Sequence, residues 1–392
     1  MTARNRLLFA AAITLCSGAL HNANAQNSVT IYGIVDVATV YSSNQGGASN
    51  TYMRSGNLAG SRIGFKGVED LGGGTSAIFL LENGFNVDTG ELSSTSSFFN
   101  RQAYVGLSNK HYGTLTAGRQ YTPYYLFVAP IGPTTALTGA TGAHPGDIDG
   151  LDTTIRSNNS VTYTSPVFNG LQFSGLVGFG ETAGNMSAGR TLSAAVKYDY
   201  NAWNFALGYQ RLNNGTTPGN WNSSASASFA TSAINNGYLS ADSAQFLAAA
   251  ARYTIGKLVL GVNASNVEYR PNSGSLFINK ATFNTLGVLS TYQLTPAVFV
   301  SAGYSYTKEK AANGITDPAK YHQISLEQTY SFSPRTAIYF LEAYQIAKGQ
   351  TLGLGGIGMP VRAVAVVGDS QNGTPSDGAN QAVFMVGIRH SF

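Results

Sequence analysis

Ser61-Arg-Ile-Gly-Phe-Lys-Gly67 runs into Glu69-Asp-Leu-Gly-Gly-Gly74, and the chain returns through Ala77, Phe79 and Leu81 to Glu82. Ile63 and Phe65 alternate with Arg62 and Lys66. A period of two with one apolar side is a strand signal, and the glycine run between two such segments makes a tight turn. The polar side decides the fold. Arg62, Lys66 and Glu82 would be costly in the dry space between two packed sheets. They cost little when they face a water-filled lumen, which is the normal pattern inside a transmembrane barrel.

The same alternation extends in both directions. Val29, Ile31, Val35 and Val37 share one face against Thr30, Tyr32 and Asp36. At the far end, Ala382, Phe384, Val386, Ile388, His390 and Phe392 oppose Gln381, Val383, Met385, Gly387, Arg389 and Ser391. Between them we read further strands, among them Phe98–Ser108, Tyr112–Arg119 and Arg156–Ser165, to a total of sixteen. Short turns such as Asn109-Lys-His111 and Ile255-Gly256 alternate with long polar connections such as Ser42–Met53, Asn213–Ala244 and Lys348–Asn380. An even strand count with short turns at one end and long loops at the other predicts an all-β, sixteen-stranded antiparallel transmembrane β-barrel. Tyr41, Phe98, Tyr200, Trp203, Phe332 and Tyr339 near strand ends are expected in its aromatic girdles or, for some of them, in a contact between subunits.

No stretch after residue 25 approaches the ~20 apolar residues of a membrane helix. Phe246–Ala251 comes nearest and stops at Arg252. A spanning chain must then be a closed barrel, the other structure that satisfies its backbone in lipid. Residues 1–25 carry Arg4 and Arg6, the apolar run Leu7–Leu15 and Ala23-Asn-Ala25. That is the pattern of a cleaved export signal, with the cut between Ala25 and Gln26 and residues 26–392 as the barrel domain. Cys16 is the only cysteine and falls in the removed segment, so thiolate and disulfide chemistry are excluded from the mature chain. Without Arg4 and Arg6, 21 of the 23 basic residues remain against 19 acidic ones, a balance that does not point to nucleic acid. Charged residues make up only 11% of the chain, with 46 glycines and 22 tyrosines. Glycine so plentiful without a collagen period favours a large β protein.

One stretch breaks the pattern. Residues 120–155 have neither helical nor strand period, yet carry Tyr121, Tyr124, Tyr125, Phe127 and four prolines. Loops of this length are usually functional or disordered, and aromatics at this density argue against disorder. We expect it to fold back into the lumen and narrow it.

Ser28-Val-Thr-Ile-Tyr-Gly33, Ser61–Gly67 with Glu69–Gly74, Phe79-Leu-Leu-Glu-Asn-Gly-Phe85, Asn100-Arg-Gln-Ala-Tyr-Val-Gly-Leu107, Gly113–Tyr121, Arg156-Ser-Asn-Asn-Ser-Val161 and Gly387-Ile-Arg-His-Ser-Phe392 together resemble the Gram-negative general porins, of the trimeric sixteen-stranded type found in Neisseria and Burkholderia relatives. The resemblance implies passive diffusion of ions and small hydrophilic solutes and a homotrimer. It also implies an outer-membrane location amid lipid and lipopolysaccharide, with a third external loop folded into each pore. It places wall cations at Arg62, Arg101 and Arg156, with Lys66, Arg119 and Glu82 nearby, and loop residues at Tyr121, Tyr124, Asp147, Asp149 and Asp152. Arg101 shares parity with Ala103 and Val105, so an inward Arg101 requires a bulge or a place beyond the strand end. Phe392 looks like the terminal signal read by the outer-membrane assembly machinery.

Other motifs carry less. Gly353-Leu-Gly-Gly-Ile-Gly358 has the letters of a dinucleotide fingerprint, but Met359-Pro360 follows where a helix is required. His111, His144, His322 and His390 lack the spacing of a metal pair, and no nucleophile elbow is present. No cofactor is expected. The rival readings are a substrate-specific channel on the same barrel, or a barrel enzyme or adhesin acting through its loops.

Overall fold

The computed structural model describes residues 27–132, 139–152, 155–216, 221, 232–368 and 375–392. The expected cleavage positions Ala25 and Gln26 lie outside them. The strands are β1 (Ser28–Gln45), β2 (Ala48–Ser55), β3 (Arg62–Gly72), β4 (Thr75–Gly84), β5 (Gln102–Asn109), β6 (Gly113–Tyr121), β7 (Arg156–Thr164), β8 (Leu171–Gly178), β9 (Thr191–Tyr200) and β10 (Trp203–Asn213). They continue as β11 (Ser243–Ile255), β12 (Leu258–Arg270), β13 (Ala281–Thr295), β14 (Val298–Glu309), β15 (Lys320–Ser331), β16 (Thr336–Lys348), a short hairpin of β17 (Gln350–Leu352) and β18 (Pro360–Arg362), and β19 (Asn380–Ser391). A short helix, α1 (Pro123–Val128), follows β6.

Neighbouring wall strands pair antiparallel, and β19 closes on β1 from Ile34 opposite Ser391 to Ser42 opposite Val383. β2 and β3 share one position in the wall. β2 pairs with the second half of β1 and β3 with its first half, while residues 56–61 step out of the ladder between them. The closed sheet is therefore sixteen strands around.

Burial along the strands is inverted relative to a soluble protein. On β12, Val262 is 51% exposed beside Asn263 at 2%; on β13, Leu286 is 60% exposed beside Thr285 at 4%. An apolar outer face and a polar inner face are stable together only when lipid surrounds the wall. At the closure, Gly33 and Phe392 exchange two backbone hydrogen bonds, at 3.0 and 3.1 Å. A Cβ on Gly33 would come within 2.3 Å of the Phe392 ring, so the missing side chain is what lets that ring lie across β1.

Three sequence expectations are corrected. Ser42–Met53 is not an open loop: β1 runs on to Gln45 and turns into β2 through Gly46 and Gly47, both at positive φ, which supply a two-residue hairpin. The strand expected from Phe98 begins only at Gln102, because Arg101 turns away to reach Glu82. Tyr339 is not in a girdle; it is fully buried on the inner face, its hydroxyl donating to Asp36 at 2.6 Å. The Gly353–Gly358 stretch joins β17 to β18 as a hairpin loop.

Candidate functional site

The charged residues expected on the wall come from β3 (Arg62, Lys66), the end of β4 (Glu82), the approach to β5 (Arg101), the end of β6 (Arg119) and the start of β7 (Arg156). In register, Tyr32, Gly64 and Glu82 lie side by side across β1, β3 and β4, and Arg62 stands opposite Gly84. Paired residues of adjacent strands point to one side, so Arg62, Lys66 and Glu82 share the inner face. Glu82 accepts the Tyr32 hydroxyl at 2.7 Å and Arg101 Nε at 2.8 Å. Arg101 lies in a bend just before β5, its N–H bonded to the Glu82 carbonyl at 3.2 Å while Gln102 pairs with the same residue, and that irregularity frees it from the parity of Ala103 and Val105. Gly60 and Gly84 leave it room: a Cβ at Gly60 would lie 2.9 Å from Arg101 Nη1, and one at Gly84 would crowd its aliphatic stem.

Tyr121 joins the cluster to the start of the aperiodic stretch. Its hydroxyl accepts from Arg101 at 2.8 Å and from Arg156 at 3.2 Å, and the Arg156 guanidinium lies 5.0 Å from the centre of its ring. Arg62 lies in the field of both Arg101 and Glu82. Lys66 is exposed, its ammonium 5.5 Å from the Tyr32 ring. Arg119 is bonded along the wall, to the Asn100 carbonyl at 2.7 Å and to the Asn158 side chain. Arg62, Lys66, Arg101 and Arg156 thus gather around the bonded carboxylate of Glu82.

From Tyr121 the chain enters α1, where Thr122 caps the Tyr125 N–H and Pro123 occupies the first turn. Tyr124 is fully buried; its N–H donates to Ser193 of β9 and its hydroxyl to the Asp149 carbonyl at 2.8 Å. Burial pushes that hydroxyl well above its usual range, so it remains a donor. Residues 139–152 then rest on inward side chains of the facing wall. Asp149 accepts His144 Nδ1 at 2.5 Å and Ser265 Oγ of β12 at 2.6 Å, and His144 Nε2 meets Asn263 at 3.0 Å. Burial pushes the Asp149 carboxyl up, but the charge and hydrogen bond of His144 with the bond from Ser265 outweigh it and leave the group below the ordinary carboxylate range. Gln323 of β15 donates to the carbonyls of Thr141 and Ala143.

The sequence-based acids are therefore divided. Asp149 is sealed against β12, and Asp147 turns its carboxylate to the Asp152 N–H at 2.9 Å. Asp152 is half-buried, and its charge is felt by Tyr125. Asp149 is thus engaged by His144 and Ser265. Sequence reasoning missed the anchors His144, Asn263, Ser265 and Gln323; the available signal was polar residues at inward parity where a bare wall needs only small ones.

The chain matches the family model for Gram-negative porins over residues 10–349. It is 30% identical to outer membrane porin protein 32 of Delftia acidovorans, over 98% of this chain and 99% of that one. Among solved structures it is similar to an anion-selective porin from Comamonas acidovorans, with 24% identity, a TM-score of 0.70, and coverage of 94% of this chain and 100% of that one. It is also similar to OmpT of Vibrio cholerae in its trimer form, with 17% identity, a TM-score of 0.63 and coverage of 93% and 99%.

Proposed function

Because the chain belongs to the Gram-negative porins, and so forms an outer-membrane barrel through which small solutes diffuse, we propose that permeation is controlled where Tyr121 joins the arginine wall to the stretch 120–155. That stretch is the constriction, and the wall beside it carries Arg62, Lys66, Arg101 and Arg156 against Glu82. The observation that carries the reading is the placement of the acids: Asp149 is bonded to His144 and Ser265, away from the cations. The positive charge at the narrow level is therefore compensated only in part, and a mild preference for anions follows. Ions and small hydrophilic solutes pass without bond chemistry, and the working unit is a homotrimer, with exposed apolar strands of the wall in its subunit contacts.

Zero-current potentials across a planar bilayer in a salt gradient test this reading. Neutralising Arg62 and Arg156 together lowers the anion-to-cation permeability ratio; an unchanged ratio overturns it. Liposome swelling with sugars of graded size separates a general pore, with a smooth cutoff, from a channel with one preferred solute.

A further inference from the structure

Gln323, Gln345 and Gln381 stand directly opposite one another on β15, β16 and β19. All three face inward, and none is more than 2% exposed. Each amide brings two donors and an acceptor oxygen, and leaving these buried without partners is costly. A wall facing only water would have no need to bury three of them at one level.

Their bonds go to the backbone of two separate segments. Gln323 Nε2 holds Thr141 and Ala143 by their carbonyls, at 3.0 and 2.8 Å. Gln345 brackets Val366, donating to its carbonyl at 2.6 Å and accepting its N–H at 2.7 Å. Gln381 accepts the Val367 N–H at 2.8 Å. The two sets are joined at Gln323 Oε1, which accepts Gln345 Nε2 at 2.7 Å and the Gly368 N–H at 3.5 Å. Residues 363–368 come from the long connection between β16 and β19, which the sequence places outside the barrel.

Packing gives an independent observation. Val40, Leu341, Val383 and Met385 are apolar residues on the inner face of β1, β16 and β19, where water would otherwise wet them, and Val367 is clustered with them. Val366 and Val367 are themselves 0% and 2% exposed. The segment is seated on the wall by both its backbone and its side chains.

We infer that residues 363–368 are a second narrowing element of the lumen, and that Gln323, Gln345 and Gln381 are positioning residues that fix it and the 141–143 segment together. The aperture is then set by two loops coupled through the Gln323 amide, which meets Gln345 and Gly368 as well as residues 141–143. This rests on the reading of the chain as a diffusion pore narrowed by residues 120–155.

Val366→Pro combined with Val367→Pro removes the two shorter of the three N–H bonds that the glutamines accept, leaving only the 3.5 Å bond from Gly368, while every barrel strand is unchanged. The expected result is a conductance higher on the order of two-fold, because a chain seated on a sheet at the ~10 Å packing distance takes up much of one side of the lumen. Larger sugars enter liposomes, while the zero-current potential stays near its original value. Gln345→Leu, similar in size but without hydrogen bonds, has the same effect. Variants that run as folded, heat-modifiable barrels and form channels with unchanged conductance and cutoff overturn the inference and leave the pore reading standing. An original chain that passes no solute overturns both.

Discussion

Arg101 Nε lies 2.8 Å from Glu82 Oε1, and less than a tenth of either side chain is exposed. The pair sits beside Arg62 and under Tyr121, so Glu82 is the carboxylate that tempers the field of the arginine cluster. Glu82→Gln therefore raises the anion-to-cation permeability ratio. The change is about 0.5–1 kcal/mol, the Coulomb energy of one unit charge several ångströms away in water-like surroundings, or roughly two- to five-fold. Zero-current potentials at low and high salt check it, and the effect shrinks at high salt as the charges are screened.

The Asp149 carboxyl yields a pH dependence. Its folded pKa is depressed below the unfolded value, so the stabilisation it gives to the docked segment is complete above the unfolded pKa of about 3.9 and is lost as the pH falls through the folded value. Single-channel current noise should stay flat from neutral pH down to about 4 and rise only below it. Asp149→Asn should be noisy already at neutral pH. A rise in the original chain centred well above pH 5 would contradict the assignment.

The wall was readable because its chemistry is periodic: Ile63 and Phe65 against Arg62 and Lys66 already specify which face meets lipid. Arg101 was readable only as a conflict, an inward role at outward parity, and its place before β5 removes that conflict. The loop acids were not readable. Whether Asp149 meets an arginine or Ser265 depends on where residues 139–152 are seated, and that seat is fixed by contacts about 120 residues apart in sequence, such as Asp149 with Ser265 and His144 with Asn263. The Ser42–Met53 stretch was misread because its polar composition resembles a loop, while Gly46 and Gly47 determine the hairpin.

Asp36 holds the step between β2 and β3. Its carboxylate accepts the N–H groups of Asn57, Leu58 and Ala59 and the Tyr339 hydroxyl. Asp36→Ala deprives three backbone donors of their acceptor at about 1–3 kcal/mol for each one left buried. The expected outcome is a barrel that still forms but is cut by protease within residues 56–61, where the original chain resists. Tyr339→Phe removes one of the four bonds and gives a weaker form of the same sensitivity.

Closure at Gly33 and Phe392 can be tested from both sides. Deleting Phe392 removes two backbone hydrogen bonds, each worth about 1 kcal/mol net, together with the ring that lies over Gly33. Gly33→Val keeps the residue but puts a side chain where the ring lies, 2.3 Å from the site of a Cβ. Both changes loosen the β1 to β19 seam, so both lower the temperature at which the folded band converts to the unfolded one in electrophoresis. If Phe392 acts only as an assembly signal, its deletion lowers the yield of folded barrel while the barrels that do form keep their original heat stability. If its main contribution is to closure, Gly33→Val reproduces the loss of heat stability with the terminal residue still present.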